Sequence, residues 1–232
     1  MKKVSIQLFI CLFMVLISFS SCLKDDDYVP VPAGFMTFVN AYPDASGLYY
    51  QIDGRTLNAG YAPVAHKEYS KAAPYAGSRN LRALSGSQNK TVIDSTITVN
   101  DRTAYSSFVY GTTAHPKFAM TQDKSIQGLG DKTAFRFLNL ANDVANVNLF
   151  MGDSDTPAFD NRPVETGASA VQNQTFIAKE SGSQSLRITD ASGNEIAKRE
   201  NYNFTKGYYY TIILIGTKGD SNMPLYIGVI AH

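Results

Sequence analysis

The sequence predicts an all-β protein made of two tandem β-sandwich repeats that follow a cleaved export signal. Three observations predict this class. The chain repeats its own motifs at offsets of 99 and 105 residues, its apolar segments alternate with the two-residue period of strands, and turn sequences separate those segments at regular intervals. No stretch after residue 21 keeps a helical period over three turns.

Residues 1–21 have the three-part organisation of a signal peptide. Lys2 and Lys3 provide the positive end, residues 8–17 form an unbroken apolar run, and small residues follow. Ten residues rise only about 15 Å as a helix, which is half of the ~30 Å hydrocarbon core of a bilayer. The run therefore predicts a cleaved signal rather than a transmembrane anchor.

The end of this segment resembles the lipobox of bacterial lipoproteins, in the order Phe19, Ser20, Ser21 and Cys22. The resemblance implies that the Cys22 sulfur receives a diacylglyceryl group, that the chain is cut before Cys22, and that the new amine is acylated. Phe19 departs from the leucine that is usual at its position. Several acyl chains together would anchor the protein stably to a membrane.

An acidic run follows the lipobox directly, and its residues are Lys24, Asp25, Asp26 and Asp27. This run resembles the export tag of surface lipoproteins in the Bacteroidota. The resemblance implies an outer-membrane protein that is lipid-anchored and faces the cell exterior. The alternative is a solvated acidic linker. In either case we expect residues 22–34 to form a lipidated tether, which its prolines keep semi-extended.

Composition excludes several functions. Cleavage leaves 211 residues with 19 basic and 20 acidic side chains, so no basic field is present to bind nucleic acid. Cys11 leaves with the signal, and Cys22 is consumed by the lipid. The mature body therefore has no disulfide, no thiolate metal ligand and no cysteine nucleophile.

The internal repeat defines two β-sandwich units, at residues 35–121 and 132–232, joined by a polar linker over residues 121–132. Near their starts, Phe38, Asn40 and Asp44 match Phe137, Asn139 and Asp143 at an offset of 99. Further on, the offset is 105, which implies a net insertion of six residues within residues 153–174. The later matches are Gly77 with Gly182, Leu81 with Leu186, Arg82 with Arg187, Tyr105 with Tyr210 and Gly111 with Gly216.

Strand types follow from the side-chain pattern. Residues 135–139 and 147–151 alternate as half-buried strands do. Residues 208–215 are rich in aromatic and β-branched side chains, which predicts a strand covered on both faces.

The opening segment, residues 38–45, and the strand that ends at Asp53 and Gly54 resemble the "domain of unknown function (DUF) 4397" family. The resemblance extends from about residue 34 to the C-terminus, once per repeat. In the second repeat Asn142 replaces proline, and Gly152 and Asp153 reverse the Asp-Gly order. The resemblance implies an immunoglobulin-like or transthyretin-like sandwich of secreted proteins, and it implies no activity.

No catalytic, metal or cofactor motif is present. Asp44 and Asp143 recur, but aspartate at these positions is typical of a turn that bonds its own backbone. The acidic loop at residues 153–155 lacks the glycine and glutamate of a calcium-binding EF-hand loop. His66, His115 and His232 are far apart in sequence, without the spacing of zinc ligands.

Tyrosine remains as a candidate for binding. The chain has 14 tyrosines, and we take Tyr49, Tyr50 and Tyr209 as candidate ligand contacts, with core packing as the alternative. The resulting hypothesis is a non-catalytic binding or adhesion module with a membrane anchor and a glycan or protein ligand. The alternative is a structural or accessory subunit of an envelope assembly. A hydrolase is the third class considered, and no motif supports it.

Overall fold

The computed structural model describes residues 30–57, 60, 62–87 and 90–232. The expected signal peptide at residues 1–21, the lipidation site Cys22 and the acidic run Lys24–Asp27 lie outside the described residues. Nearly all regular structure in the described chain is β-strand. None of the helical segments in this part has the length and apolar character needed to cross a bilayer.

The first half of the described chain contributes eight strands. Their bounds are β1 Phe35–Asn40, β2 Leu48–Ile52, β3 Arg55–Thr56, β4 Tyr69–Ala72, β5 Gly77–Ser85, β6 Thr91–Val99, β7 Ala104–Gly111 and β8 Pro116–Gln122. They form an inner sheet in the order β4-β1-β7-β8 and an outer sheet in the order β3-β2-β5-β6.

The second half repeats this arrangement and adds a short helix, α1. Its elements are β9 Thr133–Asn139, β10 Val147–Met151, β11 Phe159–Arg162, α1 Gly167–Gln172, β12 Ile177–Lys179, β13 Gly182–Thr189, β14 Glu195–Phe204, β15 Tyr209–Ile215 and β16 Tyr226–Ala231. The inner sheet has the order β12-β9-β15-β16 and the outer sheet the order β11-β10-β13-β14. No sheet of the described residues mixes strands from the two halves, so the fold has two sandwich-like units.

Each inner sheet joins its first strand to a late strand in parallel. β1 pairs with β7, with Thr37 opposite Ser106, and β9 pairs with β15, with Arg136 opposite Thr211. The other strand pairs of the four sheets are antiparallel. The parallel pairs place the starts of β1, β7, β9 and β15 at corresponding ends of their sheets.

Three apolar layers hold the four sheets together. One fills the first sandwich around Phe38, Tyr50 and Leu81, and another fills the second around Phe137, Leu149 and Ile212. The third, which we name the shared core, lies between the two inner sheets. Its buried members are Val39, Ala41, Phe108, Tyr110, Ala119, Leu138, Leu140, Ala170, Ile213, Ile215 and Ile230. Pro32–His232 accordingly form one compact unit.

The shared core changes the interpretation of β9. Its alternating sequence predicts a half-buried strand, but all seven residues of β9 are buried. The inner sheet is covered on one face by the second sandwich's own core and on the other by the first half. The alternation expected for β10 is present, with buried and partly buried residues in turn, because β10 lies in an outer sheet. β15 is covered on both faces, as its composition predicts.

Matching residues occupy matching places in the two halves. Asn40 is fully buried, donates from Nδ2 to the Val64 carbonyl at 2.8 Å, and accepts from the Tyr42 amide at 3.0 Å. Asn139 is also fully buried and makes the same kind of bonds, to the Val144 carbonyl at 2.7 Å and from the Ala141 amide at 3.2 Å. Each asparagine therefore fixes the turn that follows its strand through its Oδ1 and bonds a second backbone segment through its Nδ2.

The short helix α1 lies in the region where the sequence predicts the six-residue insertion. Thr166 caps it, accepting from the Ser169 amide, while the Ser169 hydroxyl accepts from the Thr166 amide. Six residues are too few to produce a helical period in the sequence, so the pattern gave no signal for this helix. Ala170 of the helix joins the shared core.

Candidate functional site

A cleft of about 380 Å³ opens between the two inner sheets, at the ends where β1, β7 and β15 begin. We name it the inter-sheet cleft. The first half lines it with residues of β1, β4 and β7 and with the segment after β8, and the second half lines it with an aromatic wall. The lining residues are Phe35, Met36, Thr37, Lys71, Ala72, Ala104, Tyr105, Asp123, Ser125, Phe176, Tyr209 and His232.

The cleft begins where polar residues replace the apolar residues of the shared core on β1 and β9. On β1, Val39 belongs to the shared core, whereas Thr37, two residues earlier on the same face, lines the cleft. On β9, Leu138 belongs to the shared core, and Arg136 takes the position two residues earlier. The apolar contact between the halves therefore ends where a polar network begins.

Arg136 is the centre of this network and is fully buried. Its Nη2 donates to Asp123 Oδ1 at 2.6 Å, and its Nε donates to Thr211 Oγ1 at 2.8 Å. Its Nη1 lies 3.5 Å from the Gln122 carbonyl and 3.4 Å from the Gln174 carbonyl. Burial lowers the pKa of Arg136, and the charge of Asp123 opposes that shift. Arginine stays protonated in proteins, so this is a buried ion pair.

Asp123 joins the linker of the first half to the second half. Its Oδ2 accepts from the Ser106 hydroxyl at 2.8 Å, and its Oδ1 accepts from Arg136. Its backbone amide donates to the Ala104 carbonyl at 2.8 Å. Both carboxylate oxygens therefore already have donors from the protein.

His232 occupies the place in the second half that Asp123 occupies in the first. Its backbone amide donates to the Tyr209 carbonyl at 3.0 Å, and Tyr209 corresponds to Ala104 at the offset of 105. Its Nε2 lies 2.7 Å from Thr211 Oγ1, and its Nδ1 lies 3.5 Å from Asp123 Oδ2 without a hydrogen-bond partner. Because Thr211 accepts from Arg136, its own proton is free to point at His232 Nε2, which places the imidazole proton on Nδ1.

Burial lowers the pKa of His232 to about 4. The charge of Asp123 raises this pKa, whereas the charges of Arg136 and Lys71 lower it further. The His232 imidazole is therefore neutral at neutral pH, and this side chain adds a polar but uncharged surface to the cleft.

The aromatic wall of the cleft is built on Phe176. Its ring meets Tyr209 edge-on with centroids 5.2 Å apart, and it meets His232 at 5.7 Å. The Arg136 guanidinium lies 4.6 Å from the Phe176 centroid. The Tyr209 hydroxyl donates to the Ile126 carbonyl at 3.2 Å and accepts from the Ile126 amide at 3.0 Å. Phe35 of the first half lines the cleft opposite this wall and is 60% exposed.

The structure separates the three tyrosines that the sequence analysis singled out. Tyr209 lines the inter-sheet cleft. Tyr50 lies in the core of the first sandwich, fully buried, with its hydroxyl donating to the Val39 carbonyl at 2.9 Å. Tyr49 is partly buried on β2, a strand of an outer sheet.

Sequence reasoning missed the polar members of the site, Arg136, Asp123, Lys71 and His232. One signal was present for Arg136, because it is a charged residue inside an otherwise apolar strand, where a charge needs a buried partner. Nothing in the sequence pairs it with Asp123, which lies on the expected linker.

A second groove, with a larger volume of about 620 Å³, lies beside β3 in the first half. Its charged residues include Asp53 and Arg79, which pair with each other at 3.1 Å. Arg79 also donates from Nε to the Tyr75 carbonyl at 2.9 Å. The side chains of Asp53 and Arg79 therefore already have partners in the turn that they stabilise. In the described part of the chain, no group of three or more His, Cys, Asp or Glu side chains is placed to hold a metal ion.

A family model matches residues 27–150, which is more than half of the chain, and it describes a domain of unknown function, DUF4397. The chain belongs to the DUF4397 family. The match covers the first half and continues through β9 into β10 as one copy. No curated protein matches the sequence.

Two solved structures are similar to the chain over most of its length. One is a family 26 carbohydrate-binding module from Eubacterium rectale in complex with maltoheptaose, with 10% identity, a TM-score of 0.28, and coverage of 84% of this chain and 96% of that one. The other is a DUF3823 family protein from Bacteroides ovatus, with 10% identity, a TM-score of 0.22, and coverage of 75% and 99%. Similarities of this size identify neither a ligand nor a site.

The lowered pKa of His232 makes stability depend on pH. An unfolded histidine titrates near 6.5, so between pH 6.5 and 4 the unfolded chain binds a proton that the folded chain does not. The contribution of His232 to the free energy of unfolding should therefore be complete above pH 6.5 and should decrease as the pH drops toward 4. The contribution of His232 to this fall is on the order of 2 kcal/mol by pH 4.5. In His232→Gln, which keeps a polar group beside Thr211, we expect a correspondingly smaller loss.

Urea unfolding at pH 7 and pH 4.5 measures this difference. His115→Gln, at an exposed turn, is the matched control and should follow the wild type. An equal loss of stability in His232→Gln and wild type would show that His232 is not buried in its neutral form.

Proposed function

We propose that this protein is a lipid-anchored, non-catalytic binding module whose ligand enters the inter-sheet cleft. The observation that carries the proposal is the cleft itself, which is about 380 Å³ in volume, is mostly apolar and aromatic in its lining, and includes a few polar groups. Ligand sites in proteins have this size and composition. The cleft is bounded by strands of two packed sheets, so its shape is fixed by the fold.

The polar network supports binding over catalysis. Arg136 and Asp123 satisfy each other, Asp123 has no free oxygen, and His232 is neutral with Nδ1 buried. A general base or nucleophile needs an accessible group within reach of a substrate. In the described part of the cleft, these groups instead hold the two halves together.

The proposal also includes where the protein is located and how many copies of the DUF4397 fold it contains. The lipobox residues ending at Cys22 and the acidic run Lys24–Asp27 support an outer-membrane lipoprotein that faces the cell exterior. The matched asparagines and strand orders support a second copy of the DUF4397 fold in the second half. A glycan or a protein of the cell surroundings is the ligand class that this location favours.

One observation favours the alternative, a subunit of an envelope assembly. β6 has nine residues, mostly threonine, valine and isoleucine, and it pairs only with β5 among the described strands. A long edge strand with a single charged residue, Asp94, can accept a strand from another chain. β14 is equally an edge strand, but Lys198, Arg199 and Glu200 interrupt it with charges.

The anchor is tested by metabolic labelling with a fatty-acid probe. Wild type should be labelled and should partition with membranes, whereas Cys22→Ala should be unlabelled because it lacks the acceptor thiol. Asp25, Asp26 and Asp27 changed together to alanine should keep the label but lose protease accessibility on intact cells. Labelling of Cys22→Ala would contradict lipidation at this residue, and accessibility of the triple variant would contradict the role of the acidic run.

The binding site is tested with the unlipidated chain on glycan and protein arrays. We expect the wild type to bind a member of one array, and Tyr209→Ala to lose about tenfold or more in affinity because an aromatic wall residue of the cleft is removed. Tyr208→Ala is the matched control: Tyr208 is adjacent, is 51% exposed and does not line the cleft, so its loss should leave affinity unchanged.

The same preparations are tested for turnover in hydrolase screens, where none is expected. If the folded Tyr209→Ala variant binds as tightly as the wild type, the ligand binds outside the cleft. Turnover would contradict the non-catalytic assignment. Self-association that is abolished by Thr96→Pro on β6, without array binding, would favour the assembly subunit.

A further inference from the structure

We infer that the part of the ligand that enters the inter-sheet cleft is a flat apolar ring carrying an anionic group, as an aromatic side chain next to a carboxylate in a protein ligand would provide. This inference rests on the proposed function and names the chemical class of its ligand. It follows from which charged groups of the cleft are free and which are already paired.

Three side chains of the lining can carry a charge, namely those of Lys71, Asp123 and His232. The Asp123 carboxylate accepts hydrogen bonds from Arg136 and from Ser106, so neither of its oxygens needs a cationic ligand as a partner. His232 is kept neutral by its burial. Lys71 is the remaining group, and it decides which charge the cleft favours.

Lys71 is exposed, and no carboxylate of the described chain lies within ion-pair distance of its Nζ. It stands opposite Thr37 across the β1–β4 pair, which places it on the face of the inner sheet that lines the cleft. Its Nζ lies 5.8 Å from the centroid of the Tyr69 ring. An ammonium group without a carboxylate partner at the rim of an apolar cleft favours an anion.

The rest of the lining favours a flat ring. Phe35, Phe176 and Tyr209 contribute aromatic surfaces from both halves, and Ala72 and Ala104 leave space between them. Aromatic side chains pair with other rings by offset or edge-on contact, as Phe176 and Tyr209 already do. A ligand with an aromatic body and a carboxylate would therefore use both the wall and Lys71.

The test compares two probes of nearly the same shape, 2-naphthoate and its neutral amide, 2-naphthamide. Binding to the unlipidated chain is measured by fluorescence titration at pH 7 and low salt. We expect 2-naphthoate to bind about fivefold or more tightly than 2-naphthamide, because only the carboxylate pairs with Lys71. This preference should shrink as salt is raised, because the rim is exposed.

Two variants test whether Lys71 causes the preference for 2-naphthoate over 2-naphthamide. Lys71→Met keeps the aliphatic stem and removes the charge, so it should bind the two probes equally. Lys117→Met is the matched control. Lys117 is also exposed and also sits over a tyrosine ring, 6.0 Å from Tyr110, but it does not line the cleft, so the preference for 2-naphthoate should persist.

Each outcome decides a different claim. Equal affinity of the two probes in wild type, with both lost in Tyr209→Ala, would overturn the anionic preference and leave the cleft as the binding site. A preference for 2-naphthoate that survives Lys71→Met would also overturn the inference. Failure of both probes would overturn the ligand class, and the array experiment with Tyr209→Ala would then decide separately whether the cleft binds at all.

Discussion

The architecture depends on the packing of one inner sheet against the other. Each inner sheet must be apolar on both faces, because one face covers its own sandwich and the other contributes to the shared core. Val39, Phe108, Leu138 and Ile213 are among the residues of that contact, and each is essentially fully buried. Burying a large apolar side chain contributes about 1.5–3 kcal/mol, so the shared core outweighs any single polar contact between the halves. The tandem sandwiches therefore form one compact unit, and we expect them to unfold together rather than as two independent domains on a linker.

The polar end of the same contact gives the molecule its site. A buried ion pair such as Arg136–Asp123 adds little net stability, because desolvation offsets the attraction. Removing one partner, however, leaves an uncompensated buried charge at a cost of about 3–5 kcal/mol. The network thus requires the halves to meet in one arrangement, with the segment after β8 held against β9 and β15. The cleft lies where this network replaces apolar packing, so its walls are set by the same contact that joins the halves.

Much of the fold could be predicted from the sequence, since it depends on local patterns. The double burial of β15 follows from its unbroken aromatic and β-branched run, and the repeat of Asn40 at Asn139 marks equivalent loops. The sequence predicts a half-buried β9 because Arg136 and Asn139 interrupt its apolar residues. Only the three-dimensional structure shows that both polar side chains are paired inside. Tyr209 is a candidate from its place in a cluster of tyrosines on a predicted strand. Asp123 and His232, in contrast, are separated by 109 residues and come together only after both inner sheets have formed. No short-range pattern carries that information.

The claim on which this account depends most is that the two sandwiches unfold together. Differential scanning calorimetry of the unlipidated chain tests it, by comparing the calorimetric enthalpy of unfolding with the van't Hoff enthalpy from the same transition. A shared core predicts a single transition in which the two enthalpies agree. Two resolved transitions, or a calorimetric enthalpy about twice the van't Hoff value, would show that the halves unfold independently and would contradict the account.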